Sequence, residues 1–271
     1  MIMALLHRYD VWLTLSALAV LVCERAAPWR KQQPLLRPQW GQDVAWFVLN
    51  GYLLSFVLRP LTSTIGAGLD GAFDLMSGAS VGSIRVLAGL PLWQQIVVLL
   101  VVADFMEWCV HSLLHRIPWL WKIHRVHHSI KTMDWIGNFR FNWMEPVVYK
   151  TVKYIPLTLL GVRWEAMLVV AVSSTMIGFL NHSNMRISWG PLRYVINSPC
   201  MHIWHHEKRV RGRAGVNFGI VFSMWDWAFG TAFMPGGDSQ PEELGFAGEE
   251  RVSTSLAMRL VAPFWDSRPA E

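Results

Sequence analysis

Three histidine clusters and one isolated histidine carry the chemistry open to this sequence. His111 and His115 stand at i and i+4, His124, His127 and His128 at i, i+3 and i+4, and His202, His205 and His206 repeat that spacing. On a helix such positions share a face, so each cluster projects its imidazoles together. His182 stands alone between the second and third clusters, and His7, beside Arg8 and Tyr9, is left out of the site. Neutral imidazole ligates zinc, copper, iron and nickel, so the ligand type indicates a transition metal without naming it. A single zinc takes about four ligands. The nine histidines from His111 to His206 exceed that need, and two metals with four or five imidazoles each would use them all.

Two carboxylates belong to the same neighbourhood. Asp104 lies seven residues before His111 and Glu107 four before it, so one helix would carry all three on one face. Carboxylates inside an apolar run are costly and functional by default. Asp104 and Glu107 can accept an imidazole N–H and fix its tautomer, or ligate a metal directly. The alternative is that they merely cap a span at the water interface.

The elements that must position these groups read as membrane helices. Of 271 residues, 53% are hydrophobic and only 16% charged, with 16 Trp, against roughly 25% charged in soluble domains. The net charge of +5 sits in basic segments beside apolar runs, which fits positive-inside topology and no nucleic-acid surface. Apolar runs occupy 11–23, 44–58, 91–110, 147–162 and 164–180. The first is short of the roughly 20 residues a span needs. The fourth is broken by Lys150, Lys153 and Pro156, and with the fifth it reads as a hairpin. Placing the basic segments 24–43 and 116–131 on the cytoplasmic side gathers all nine histidines on that face.

The N-terminal run lacks a small-x-small cleavage site and reads as a retained helix. Cys23, Cys109 and Cys200 lie far apart and form no disulfide framework. Gly66 to Gly71 matches GxGxxG, but no strand precedes it and no acidic residue follows about 20 positions on, so no dinucleotide site is expected. Electrons for a redox reaction would then come from another protein. After residue 231 the chain turns polar and acidic, and Thr254 to Trp265 forms a short amphipathic segment. The expected fold is an all-α integral membrane protein. It has about four transmembrane or re-entrant helices and a cytoplasmic helical cap carrying a histidine-rich dimetal site. Residues 1–90 form the N-terminal helices and connection, 91–235 the histidine-box region and 236–271 the polar tail.

The words around the histidines carry a resemblance. HSLLH at 111–115, HRVHH at 124–128 and HIWHH at 202–206 resemble the histidine boxes of the fatty acid hydroxylase/sterol desaturase superfamily. Leu120-Trp121 and Ser129 flank the second box, and Ser198-Pro199 leads into the third. Arg140 with Glu145-Pro146, Asn181 to Asn184, and Trp225-Asp226 with Phe229-Gly230-Thr231 resemble further family words, so the likeness covers 104–231. The chain departs from the pattern at Trp108-Cys109 and Ser112, at Gly215 to Gly219, and at Asn142, where many members carry another histidine.

That resemblance implies a membrane non-haem di-iron oxidoreductase that hydroxylates or desaturates a lipid C–H bond. Molecular oxygen is the co-substrate, and zinc can take the same imidazoles in the isolated protein. Side chains alone cannot break such a bond, so a cofactor must. The nine histidines would hold the metals, with Asp104, Glu107 and Asn142 beside them. Partners would be a lipid substrate and a separate electron donor of ferredoxin, rubredoxin or cytochrome b5 type, with no nucleic acid. The expected location is a bacterial inner membrane with a cytoplasmic site. The competing reading is a non-redox metal-binding or metal-transport protein, which would place its ligands near mid-bilayer. A b-type haem needs far fewer histidines.

Overall fold

The apolar runs fold as helices. In chain order they are α1 (Tyr9–Ala26), α2 (Trp40–Trp46) continuing as a π-helix (Phe47–Leu53), and α3 (Leu92–Arg116). Then come α4 (Pro118–His128), α5 (Met144–Leu159) and α6 (Trp164–His182), with the short α7 (Pro199–His202), α8 (Met224–Phe229) and α9 (Leu256–Val261) after them. The computed structural model describes residues 7–54, 56–57, 64, 68, 85–236, 239–262 and 264. Most of the connection at 61–90 lies outside the described residues, as does the GxGxxG match apart from Gly68. Among the described residues there is no strand, only three isolated bridges. Two helices among them, α3 and α6, are long and apolar enough to cross a membrane.

Local chemistry explains the bend that separates the first two histidine boxes. Pro118 disfavours helical backbone at Ile117, which sits extended at φ −98° and ψ 116°, and α3 stops there. The same proline then starts α4 as its first residue. Ser198 accepts the Met201 amide as the N-cap of α7, with Pro199 following it, so the third box also starts from a capped turn.

Helix direction brings the boxes to one end. Glu107 of α3 pairs with Lys153 of α5, while Gln95 Oε1 accepts the Arg163 amide at 2.8 Å beyond the far end of α5. Thus α5 runs antiparallel to α3 and α6 returns parallel to it, delivering His182 to the same end as His111 and His115. Buried Glu24, near the end of α1, accepts the amides of Trp135 at 3.0 Å and Asn184 at 2.9 Å, so that helix points the same way. Leu13, Ala17 and Val20 of α1 pack with Trp135, Phe139 and Phe179. A second core joins Leu99 and Ala103 of α3 to Leu157, Ala166 and Val170. In lipid such contacts hold by close packing rather than by expelling water. Gly178 shows the fit, since a Cβ there would stand 2.8 Å from the Asn138 side chain.

Candidate metal centre

The eight histidines of the boxes and His182 converge, and they divide into two groups. His111, His115, His124, His128 and His205 form one, and His127, His182, His202 and His206 the other, with potential ligand atoms in each within 4.8 Å of one another. The groups adjoin, since the rings of His128 and His206 stack at 4.5 Å. Each HxxHH box is shared between them. Its i and i+4 members stay together while the i+3 member crosses: His127 leaves His124 and His128, and His205 leaves His202 and His206. Neighbouring helical positions point about 100° apart, so His127 and His128 cannot face the same way.

Backbone carbonyls fix the outer nitrogens. Nδ1–H donates to a carbonyl in His111 (Phe218, 2.7 Å), His127 (Arg140, 3.2 Å), His182 (Gly178, 2.9 Å) and His205 (Val216, 2.8 Å). A carbonyl only accepts, so each neutral ring keeps its proton on Nδ1 and a lone pair on Nε2. The Nε2 atoms of His127 and His182 then face each other at 3.1 Å, lone pair against lone pair. That contact repels unless a cation shares both. Protonation is the costly escape: burial first, and mutual repulsion second, holds His124, His127, His128, His202 and His206 well below the ordinary imidazole range. Neutral imidazoles with converging lone pairs are what a transition metal takes, so the donor set fits.

Glu145 supplies a second sign that the site suits a cation. Its Oε1 lies 3.0 Å from His124 Nδ1, while Oε2 has no partner among the described residues. Burial pushes this carboxyl well above its usual range, and a cation held by His124 would keep it ionised. Carboxylate–imidazole pairs orient ligands and raise their basicity. Replacing Glu145 with alanine should therefore weaken metal binding by about 10–100-fold, with glutamine milder. Metal titration of the purified variants checks this, and parental affinity in Glu145→Ala would refute the role.

The three polar residues expected beside the metals stand elsewhere. Asp104 accepts the Val221 amide at 2.8 Å, the Phe222 amide at 3.0 Å and Trp225 Nε1 at 2.9 Å, so it fastens the 221–225 turn to α3 instead of an imidazole. Glu107 is taken by Lys153. Asn142 Nδ2 donates to the carbonyls of Arg259, Leu260 and Ala262, and its Oδ1 accepts the Met144 amide. Its Nδ2 thus holds the end of α9, whose last carbonyls need donors, while its Oδ1 receives the first amide of α5.

Two further residues act at one remove. Asp226 accepts the amides of Phe218 at 2.9 Å and Gly219 at 2.8 Å, Trp108 Nε1 at 3.1 Å and the Thr231 hydroxyl at 2.6 Å. It thereby sets the Phe218 carbonyl that receives His111, and a Cβ at Gly219 would collide with the Phe222 carbonyl. Arg140, whose carbonyl receives His127, is itself held by Asp43 through Nε and, at 2.8 Å, through Nη2. Arg37 joins the buried set, 2.6 Å from both Asp43 and Asp134. The signal for Glu145, Arg140 and Asp226 lay in the words flanking the boxes, where each side chain is a charge in an otherwise apolar or aromatic stretch.

Comparison with known proteins places these residues in context. A family model described as fatty acid hydroxylase matches residues 96–231, a stretch holding all nine histidines. The ornithine lipid hydroxylase OlsE of Rhizobium tropici is 32% identical over 174 residues, covering 64% of this chain and 51% of its own length. Methylsterol monooxygenase 1-1 of Arabidopsis thaliana is 28% identical over 170 residues, 59% of this chain and 56% of its own length. The alkylglycerol monooxygenase of Caenorhabditis elegans is 26% identical over 168 residues, 60% of this chain and 31% of its own length. The chain thus spans about half or less of the curated relatives it matches. No solved structure matches it.

Proposed function

Because this chain belongs to the fatty acid hydroxylase family, we propose that it is a membrane non-haem di-iron enzyme that hydroxylates a lipid C–H bond with dioxygen. The observation that carries this reading is the facing Nε2 pair of His127 and His182 inside a double group of nine imidazoles. Residues 91–235 are the catalytic region on this reading, between an N-terminal helical part, 1–90, and a polar tail, 236–271. Hydroxylation is preferred to desaturation because the relatives carry the names hydroxylase and monooxygenase.

Iron bound there supplies the activation of dioxygen that side chains cannot provide. The chain's own part is to hold and to exclude. Carbonyls of Phe218, Arg140, Gly178 and Val216 keep Nδ1 protonated on four rings, leaving Nε2 for the metal. Eight of the nine histidines are buried, which keeps bulk water from the reacting C–H bond. The groups lie at the ends of α3 and α6, the two helices long and apolar enough among the described residues to cross a bilayer. The balance is R–H, dioxygen, two electrons and two protons to R–OH and water. The electrons come from a separate carrier of ferredoxin, rubredoxin or cytochrome b5 type.

Cations favour a cytoplasmic site. Arg25, Lys31, Arg116, Lys122, Lys131 and Arg186 belong to the histidine end and Arg8, Arg85 and Arg163 to the other, the positive-inside arrangement of a bacterial inner membrane. Transport of metal is disfavoured because the imidazoles sit at helix ends and in the segments beyond them. The deciding experiment supplies iron-loaded protein in bilayers with reductant, ¹⁸O₂ and a bacterial lipid extract. One labelled oxygen in a lipid product is expected. Oxygen uptake without labelled lipid, or stoichiometric zinc with no uptake, would overturn the reading.

A further inference from the structure

Of the nine histidines, only His115 is not fully buried. A narrow cleft reaches it, with His128 and His205 on the floor and Trp121, Phe246 and residues 207–211 and 214–216 as walls. Its volume of about 40 Å³ admits a few water-sized molecules. Drug-sized ligands fill roughly 300–1,000 Å³, so no cofactor or lipid chain enters this way. The half-exposed Trp121 ring bridges the opening, 5.1 Å from His115, 5.2 Å from His128 and 6.1 Å from His124. One indole thus touches three of the five imidazoles in that group.

The rim of the cleft is cationic. The segment Glu207 to Arg213, EKRVRGR, carries four cations and one carboxylate. Arg211 takes that carboxylate, and Lys208 pairs with Glu243 at 2.8 Å. Arg209 and Arg213 stay exposed, without an ion-pair partner among the described residues. The loop is braced rather than loose, because the Arg211 guanidinium lies 5.1 Å over the Trp204 ring and 4.2 Å over Phe233. Exposed Arg116, at the end of α3, adds a further cation 6.0 Å over Phe218.

We propose that the 207–213 loop and Arg116, around the His115–Trp121 opening, form the docking face for a small acidic one-electron carrier protein. This rests on the oxidase reading above, in which each turnover draws two electrons from outside. A one-electron carrier must dock and leave twice per turnover. A small, charge-steered, salt-sensitive contact suits that traffic better than a tight one. Unneutralised cations beside the least buried histidine match an acidic surface, and the bridging indole leads inward from it.

The test reads binding, not turnover. Full-length protein in discs of zwitterionic lipid is titrated with an oxidised, acidic [2Fe–2S] ferredoxin at low and at physiological salt. Affinity should fall with salt, and Arg209→Glu with Arg213→Glu should weaken it by about tenfold or more. Metal content and melting temperature should not move, since both side chains are exposed, and the lysine pair should bind like the parent. Unchanged affinity in the glutamate pair, or no binding at low salt, overturns the proposal. So does loss of binding when phosphatidylglycerol is added to the discs, which would assign these cations to lipid headgroups. Binding can be found where no lipid is oxidised and be absent where one is, so the two readings fail separately.

Discussion

Purified protein should carry about two transition-metal ions per chain, and the double variant His127→Ala with His205→Ala should carry fewer than one. The pair takes one imidazole from each group, so each single variant should lose about one ion and the double variant the rest. The loss exceeds the removal of one ligand because the carbonyls of Arg140 and Val216 would lose their donors in a buried setting. Lipid oxidation should fall below detection in both single variants, since the reaction draws on both ions. Elemental analysis of freshly prepared protein decides it, and full metal content in the double variant would remove these histidines from the site.

The same ligands set a pH limit. Burial depresses the titration of His124, His127, His128, His202 and His206. A group with a depressed folded value contributes its stability above its unfolded value and loses it as pH falls toward the folded one. Folding stability should therefore be flat above about pH 6.5 and decline below it. Protons should displace metal from Nε2 of the folded site only well below that pH. Melting and metal content measured against pH check the two.

The second large effect lies away from the histidines. Asp43→Ala should cost about 3–5 kcal/mol, because it leaves the Arg140 and Arg37 guanidinium groups buried and short of counter-charge. All three side chains are at most 1% exposed, so water cannot take the place of the carboxylate. Arg37 keeps Asp134 at 2.6 Å, whereas Arg140 is left with Gln39 and Ser129. The Arg140 carbonyl orients His127, so the four-histidine group should lose metal before the five-histidine group does. Asp43→Asn keeps the shape and an acceptor, and should fall between parent and alanine. Melting in mild detergent reads the first claim, and metal content at sub-melting temperature the second. An alanine variant melting like the parent would show that the network contributes little.

Much of the site was legible in the residues themselves. Box spacing, apolar run length and the prolines at 91, 118 and 199 are local properties, and they suffice for helices that end in histidine. Which carboxylate would meet an imidazole was not legible. Asp104 and Glu107 sit on the right helix near the right face, yet their partners lie 117 and 46 residues away, at Val221 and Lys153. Glu145 reaches His124 only because the chain turns back between α4 and α5. Asn142 follows the same logic: its amide is claimed by a helix end 117 residues on, at Arg259.

The sequence by itself determined that nine imidazoles would meet at one end of an apolar helical bundle, because spacing and hydrophobic length act within single segments. Only the tertiary structure decided their division into five and four. Adjacent His127 and His128 diverge by about 100° on α4, so the second box serves two directions at once. The third does so through the turn that carries His205 and His206. Which direction holds which partner depends on the antiparallel return of α5 and the parallel run of α6, and these are settled by contacts between segments far apart in the chain.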